Sequence, residues 1–426
     1  MPSPSVIGTA RRKASDYPVY GVRWDTVNDL YQPVKVVSGA IVAEDYTSYP
    51  IQEAMRRCIL SSAGAVQYYL FGTNSAYKED GSTPSDLSGA DGQVMVQVPQ
   101  FSYAIFTDGN YKYFLISAGS FATVLPSDGT TPVSSTVHEW FYEGGLGSPR
   151  AYGYISAFEG VLYRGGVNVD GTGSQTGAAG DLIRSVYGYK PLTYFHRTER
   201  RTYSISGVIH QYAHWAHEAM ILLAFVEVKS WNSQGLLPGY TEGGSWLFDK
   251  VCKTGITVGL GNGNGSVLWQ NADASLRCST DQTGKYVANS YRGIENFYGH
   301  VWKWVDGINV EYVGSPLTGA RIYLSNNPAQ FADGTATNYT DTGLDFPLAS
   351  GYQRNLHDGT LLCNSATGAS STTFIRDYFY ASSAAGWRAL LSGGNLDNGA
   401  YAGVANRFAY NAASYRGAGI GGRVSA

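Results

Sequence analysis

Short apolar or alternating runs dominate the first third of the chain. Val66–Phe71 (VQYYLF), Val94–Val98 (VMVQV), Phe101–Phe106 and Tyr111–Ile116 each have the length of a short strand. In an extended chain a period of two sends successive side chains to opposite faces. Asp91–Gly92 and Asp108–Gly109–Asn110 separate these runs with residues that reverse a chain tightly. Order begins at Tyr17–Asn28 (YPVYGVRWDTVN), and Ile51–Leu60 predicts a short helix before the first run.

Farther along the period changes. Tyr212, Trp215, Ala216, Ala219, Leu222, Leu223 and Val226 recur at spacings of three and four. They predict one long helix over 210–229 with a single buried face. In the segment Val301–Val305 the period returns to two, placing Trp302 and Trp304 on one face and Val301, Lys303 and Val305 on the other. Glycine-rich stretches at 144–147 and 165–180 read as loops. The pattern predicts an α+β, β-rich chain in three parts. Residues 1–45 form an attachment arm, 46–150 a small β-rich domain, and 151–426 a larger domain. Within the last, the polar, turn-rich stretch 306–385 reads as a surface insertion.

Composition narrows the function classes. The 426 residues are 43% hydrophobic, enough to bury a core, but only 15% are charged. A net charge of −3 gives no electrostatic basis for binding nucleic acid or an anionic membrane. No apolar run approaches the roughly 18 residues that span a bilayer, and no signal-peptide core opens the sequence. We therefore expect no membrane insertion and synthesis in a cytoplasm. The basic cluster Arg11–Arg12–Lys13 reads as part of a solvated arm. Cys58, Cys252, Cys278 and Cys363 are too scattered for a disulfide framework or a C-x-x-C zinc site.

Candidate chemistry is sparse. His210, His214 and His217 have spacings that could share a metal ion, but Glu218 follows the third histidine rather than the first, unlike H-E-x-x-H. A polar helix face packed under loops is the better reading. Residues 259–265 (GLGNGNG) lack the lysine and following helix of a phosphate loop. Asp170–Gly171 and the Asp281–Gly284 stretch are fragments of calcium loops without the ligand series. No G-x-S-x-G elbow is present, and Glu139, Glu143, Glu159, Glu227 and Asp249 form no pair that spacing alone identifies. Neither a catalytic residue, a metal nor a cofactor is expected.

The C-terminus is different in kind. A strand from Gly386 ends in Gly393–Gly394 and leads into NLDNGAYAGVANRFAYNAASYRGAGI, closed by Gly421–Gly422–Arg423–Val424. The loop has neither helical nor strand periodicity. It is rich in tyrosine, asparagine and small residues, which provide rigid amphipathic area and adaptable hydrogen bonding at small entropic cost. The chain as a whole shows the same bias: its 33 tyrosines outnumber its 16 phenylalanines and 9 tryptophans together.

Several short motifs carry a resemblance. ENFYGHVWKW (295–304), Ser392–Gly394, the loop and the terminal G-x-R resemble the C-type-lectin-like domain of phage receptor-binding tail proteins. That family includes the variable proteins of diversity-generating retroelements, of the major tropism determinant type. YGVRWD (20–25), DGQVMVQVPQFSY (91–103) and SVYGYKPLT (185–193) are similar to phage tail proteins of the same kind. The resemblance implies that 151–426 has a C-type-lectin-like, formylglycine-generating-enzyme-like fold with long loops. It implies a non-enzymatic adhesin at the virion tail tip that binds a host-surface protein or glycan. A homotrimer and contacts with other tail proteins follow from the same analogy. Asn395, Asp397, Asn398, Tyr401, Phe408, Tyr410, Asn411, Ala412 and Tyr415 would be the display positions, with Arg423 as scaffold. The close cysteine pair of formylglycine-generating enzymes is missing, and so is the E-P-N-type calcium motif of animal lectins. Two other roles compatible with such a fold are a structural baseplate component and a glycan depolymerase.

Overall fold

A computed structural model describes residues 17–171, 173, 175–242, 250–277 and 286–426. It is β-rich, and its longest helix, His214–Val228, lies near the centre of the molecule. Three large sheets surround that helix. The first has six strands, running from Thr136–Val137 through Ser102–Asp108, Tyr111–Ser117, Tyr20–Asp25 and Leu30–Val37 to Ala40–Ala43. The second has seven, with Gln93–Pro99 between Tyr152–Ser156 and Arg56–Leu60. In the third, of eight, Trp302–Val313 pairs with Gly319–Leu324 on one side and Gly386–Ser392 on the other.

The helix departs from its predicted form in two ways. It starts at His214 rather than 210, because His210–Gln211 pairs as a strand with Val424–Ser425. It also buries 12 of its 15 residues rather than one face. An all-round apolar sequence such as AMILLAFV suits a helix enclosed by sheets. Its contacts run to Tyr20–Asp25, Tyr111–Ser117, Glu139–Tyr142 and Trp302–Val313. Phe225 stacks on Trp231 at 3.9 Å, and Phe114 meets both rings edge-on.

The predicted three-part division does not follow the core. Residues 20–43 are half of the six-stranded sheet rather than an arm, and Trp24 is fully buried. Gln52 Nε2 donates to Leu223 O at 3.0 Å and Tyr46 Oη to Val226 O at 2.7 Å, tying this region to the central helix. The boundary at 150 crosses the seven-stranded sheet, where Tyr152–Ser156 pairs with Gln93–Pro99. One hydrophobic cluster joins Trp24, Ile59, Phe225, Val310 and Phe379. Turn-forming composition marks chain reversals, and a hairpin turn and a linker share that composition.

Two further readings are corrected. Ile51–Leu60 is a one-turn helix, Pro50–Glu53, followed by the strand Arg56–Leu60 between two partners. There Cys58, Ile59 and Leu60 are wholly buried, so sheet pairing overrides the local helical spacing. The stretch 306–385 is not a surface insertion, since it supplies strands on both sides of Gly386–Ser392 in the eight-stranded sheet. Ile308, Val310, Tyr312, Ile322, Ile375 and Phe379 are core residues. Its polar average hides alternation: in Ile375–Ala381 (IRDYFYA) every second residue is buried.

Candidate binding surface

The C-terminal loop is built from its two glycines outward. Gly393 and Gly394 both have positive φ, +85° and +73°, and a Cβ on Gly394 would lie 2.6 Å from that of Ala402. The chain can leave the sheet here only with glycine. Asn395 then closes a tight turn. Its amide donates to Asn398 Oδ1 at 2.7 Å, while its own Oδ1 accepts from the Asp397 amide at 3.2 Å. Leu396 is an anchor, buried beside Tyr240, Trp269 and Val301.

The middle of the loop is pinned rather than free. Gln234 Nε2 donates to the carbonyls of Gly399 (3.0 Å) and Ala402 (2.6 Å), and Gln353 Nε2 to that of Ala405 (2.6 Å). Ala402–Asn406 is buried, and Arg407–Ala409 forms a strand between Gly386–Ser392 and Ile375–Ala381. After the outward segment, Ile420–Gly421 runs parallel to Trp302–Lys303. Arg423 is buried and donates to the carbonyls of Ser156 (3.1 Å) and Asn296 (2.7 Å), a scaffold position. Val424–Ser425 completes the seven-stranded sheet beside Tyr152–Ser156.

The nine predicted display positions separate by exposure. Asp397, Tyr401, Tyr410, Ala412 and Tyr415 are exposed, and Asn398, Phe408 and Asn411 are half-buried. Asn395 is fully buried and is corrected to a turn-forming residue. Tyr401, Tyr410 and Tyr415 expose 43%, 48% and 46% of their surface, an unusual concentration for large side chains on one short segment.

Tyr401 belongs to a larger aromatic surface. Its ring lies 4.5 Å from Tyr378 and 5.6 Å from Tyr352. Tyr378 meets Tyr380 at 4.7 Å, Tyr380 meets Phe408 at 4.9 Å, and Phe408 meets Tyr410 at 5.8 Å. Trp302 supports Phe408 from below at 5.3 Å. Asn398 Nδ2 donates to Tyr380 Oη at 3.2 Å. Tyr352, Tyr378 and Tyr380 were missed in the sequence. The alternation in IRDYFYA carries the signal, since it places Tyr378 and Tyr380 on the face away from the core. Tyr415 stands apart from this group, on the segment that Arg416 ties to Glu199 at 3.0 Å.

One buried carboxyl holds the loop from beneath. Asp377 accepts from the Ala405 amide at 2.7 Å and from Ser233 Oγ at 3.2 Å. Burial pushes it up to about 7, from an ordinary 3.8. A raised folded-state value means that stability is fully present below about pH 4 and falls as pH rises toward 7, because the unfolded carboxyl ionises first. In that window the wild type should lose on the order of 1 kcal/mol per pH unit relative to Asp377→Asn. Urea midpoints of the two proteins, compared between about pH 5 and 7, check this. Parallel curves would contradict it.

The other candidate chemistry is dispersed. His210 lies 3.1 Å from Glu143, His217 Nδ1 bonds Tyr212 Oη at 3.2 Å, and His214 lines a separate cavity. Among the described residues no cluster of histidine, cysteine or carboxylate side chains could hold a metal. The glycine loop at 259–265 packs on the hairpin at Gly72, whose carbonyl accepts from the Asn262 amide at 2.9 Å. Asp170 Oδ1 accepts from the Lys190 amide at 2.9 Å. Glu227 pairs with Arg292 at 2.5 Å, and Glu159 with His300 and Lys303. Cys58 and Cys363 are buried free thiols, and Cys252 is buried as well. The cluster Arg11–Lys13, Asp249, Cys278 and the Asp281–Gly284 stretch lie outside the described residues. No protein-family model and no curated protein matches the chain.

Proposed function

We propose that this chain is a receptor-binding protein of a phage tail tip, with a C-type-lectin-like domain that presents the C-terminal loop to a host-surface protein or glycan. The observation that carries the reading is the continuous surface that Tyr352, Tyr378 and Tyr380 of the sheet form with Tyr401, Phe408 and Tyr410 of a loop pinned at both ends. Tyrosine on a fixed backbone offers large contact area with little ordering entropy left to lose. Such a surface on a lone soluble chain is otherwise an aggregation liability. The terminal strand that returns to Tyr152–Ser156 and the tryptophans beneath the loop suit the proposed domain type.

A homotrimer would present three copies, and linked weak sites raise avidity by about 10²–10⁴ without new contacts. The test is adsorption of the fluorescently labelled chain to a panel of bacterial strains. Saturable binding to a subset of strains is the expected result. Uniform, unsaturable binding, or none on any strain, would contradict the reading.

A further inference from the structure

A cavity of about 440 Å³ lies away from the aromatic surface. It sits between Ser102–Asp108, the start of the central helix, the strands Gly319–Leu324 and Thr340–Asp345, and residues 359–362. Its size falls within the range of small-molecule sites. Thr340 and Gly359 are exposed at its rim, whereas His138, His214 and Glu218 are buried in its walls.

The polar groups in this cavity are not all satisfied. His214 is 1% exposed, yet among the described residues neither of its ring nitrogens has a hydrogen-bond partner. The side-chain oxygen of Asn326 is unpaired as well, although its Nδ2 donates to Glu139 O at 2.8 Å. Buried polar groups normally meet a partner, so these two offer a ligand in the cavity places to bond. Burial, then the neighbouring Arg407, His217 and His138, hold His214 well below its usual range. A neutral imidazole offers one donor and one acceptor.

The charged groups around the cavity are already engaged. Glu218 pairs with Arg407 at 2.5 Å, and Glu139 accepts from Tyr103 Oη at 2.9 Å. Among the described residues no lysine or arginine lines the cavity to attract an anion. Leu222, Leu324, Leu344 and Trp215 supply apolar wall. The complement of these walls is a neutral ring with hydroxyls at its edge and C–H faces.

We propose that this cavity binds a neutral pyranose sugar unit, with His214 and Asn326 meeting its hydroxyls and Trp215 and the leucines its apolar face. The site is separate from the aromatic surface, although Glu218 in its wall pairs with a residue of the strand Arg407–Ala409. Arg407 turns inward to Glu218, and Phe408 turns outward to Tyr380.

The experiment is saturation-transfer NMR on the full chain with methyl glycosides of glucose, galactose and N-acetylglucosamine, each at about 10 mM, near the expected millimolar affinity. At least one should receive saturation. Thr342→Trp, which fills the cavity from a half-buried position, should abolish the transfer, and His214→Phe should weaken binding about tenfold or more. The transfer should persist in Tyr401→Ala/Tyr410→Ala, which separates this site from the display surface. No transfer from any glycoside, or transfer unchanged in Thr342→Trp, would overturn the proposal.

Discussion

Tyr401→Ala/Tyr410→Ala should lower adsorption to a recognised strain by about 100-fold or more, since buried interface tyrosines each carry about 1–2 kcal/mol or more. The fold should survive this change. Both side chains are close to half exposed, and the loop is held by other groups: Gln234, Gln353, Asp377 and Leu396. The expected result is therefore lost binding at an unchanged melting temperature. Adding Tyr378→Ala should deepen the loss, because Tyr378 lies 4.5 Å from Tyr401 on the same surface. Exchanging Tyr152, an exposed tyrosine on a different sheet, should leave adsorption intact. Equal losses for Tyr152→Ala and the double variant would mean that generic stickiness, not this surface, drives adsorption.

The largest effect on stability is expected at Glu159. It is fully buried and faces His300 Nδ1 at 2.5 Å and Lys303 Nζ at 3.0 Å. His300 Nε2 accepts from the Cys252 amide at 3.0 Å, so its Nδ1–H donates to the carboxylate. Lys303 is then the paired cation, with Gly299 O as a second acceptor at 2.5 Å. Burial, opposed by Glu159, pulls the Lys303 ammonium down to about 8. Glu159→Leu leaves a buried ammonium without its counter-charge, which should cost about 3–5 kcal/mol. Combining it with Lys303→Met should restore part of that loss, as coupled neighbours do. Chemical denaturation checks both variants, and a loss under about 1 kcal/mol would show that the pair is not coupled. Binding should fall as well. The same segment holds the loop's entry, where Gly299 N donates to Gly393 O and Leu396 N to His300 O, both at 3.0 Å.

Local pattern reached some of this arrangement. The runs at Val66–Phe71 and Tyr111–Ile116 are strands, the second buried on both faces, as a short continuous apolar run between turn residues allows. The paired glycines and the three exposed tyrosines of the loop were also legible, since positive φ and surface exposure leave marks in composition. Pairing was not. Nothing local tells Arg56–Leu60 that two strands await it, or places Tyr20–Asp25 beside Tyr111–Ser117. Asn395 looked like a display residue because asparagine serves equally as a contact and as a turn former, and only its burial distinguishes them. Tyr352, Tyr378 and Tyr380 were hidden in a stretch whose average polarity suggested a surface insertion. The cavity around His214 gathers residues from segments more than 200 positions apart, so its unpaired groups exist only in the folded chain.

Under the proposed function the loop, and not another face, meets the receptor. Hydrogen–deuterium exchange of the chain, free and bound to envelope from a strain that it adsorbs to, tests this most directly. Slowed exchange is expected at 397–402 and 410–418, with the six-stranded sheet unchanged. Protection confined to that sheet, with the loop exchanging as in the free protein, would contradict it.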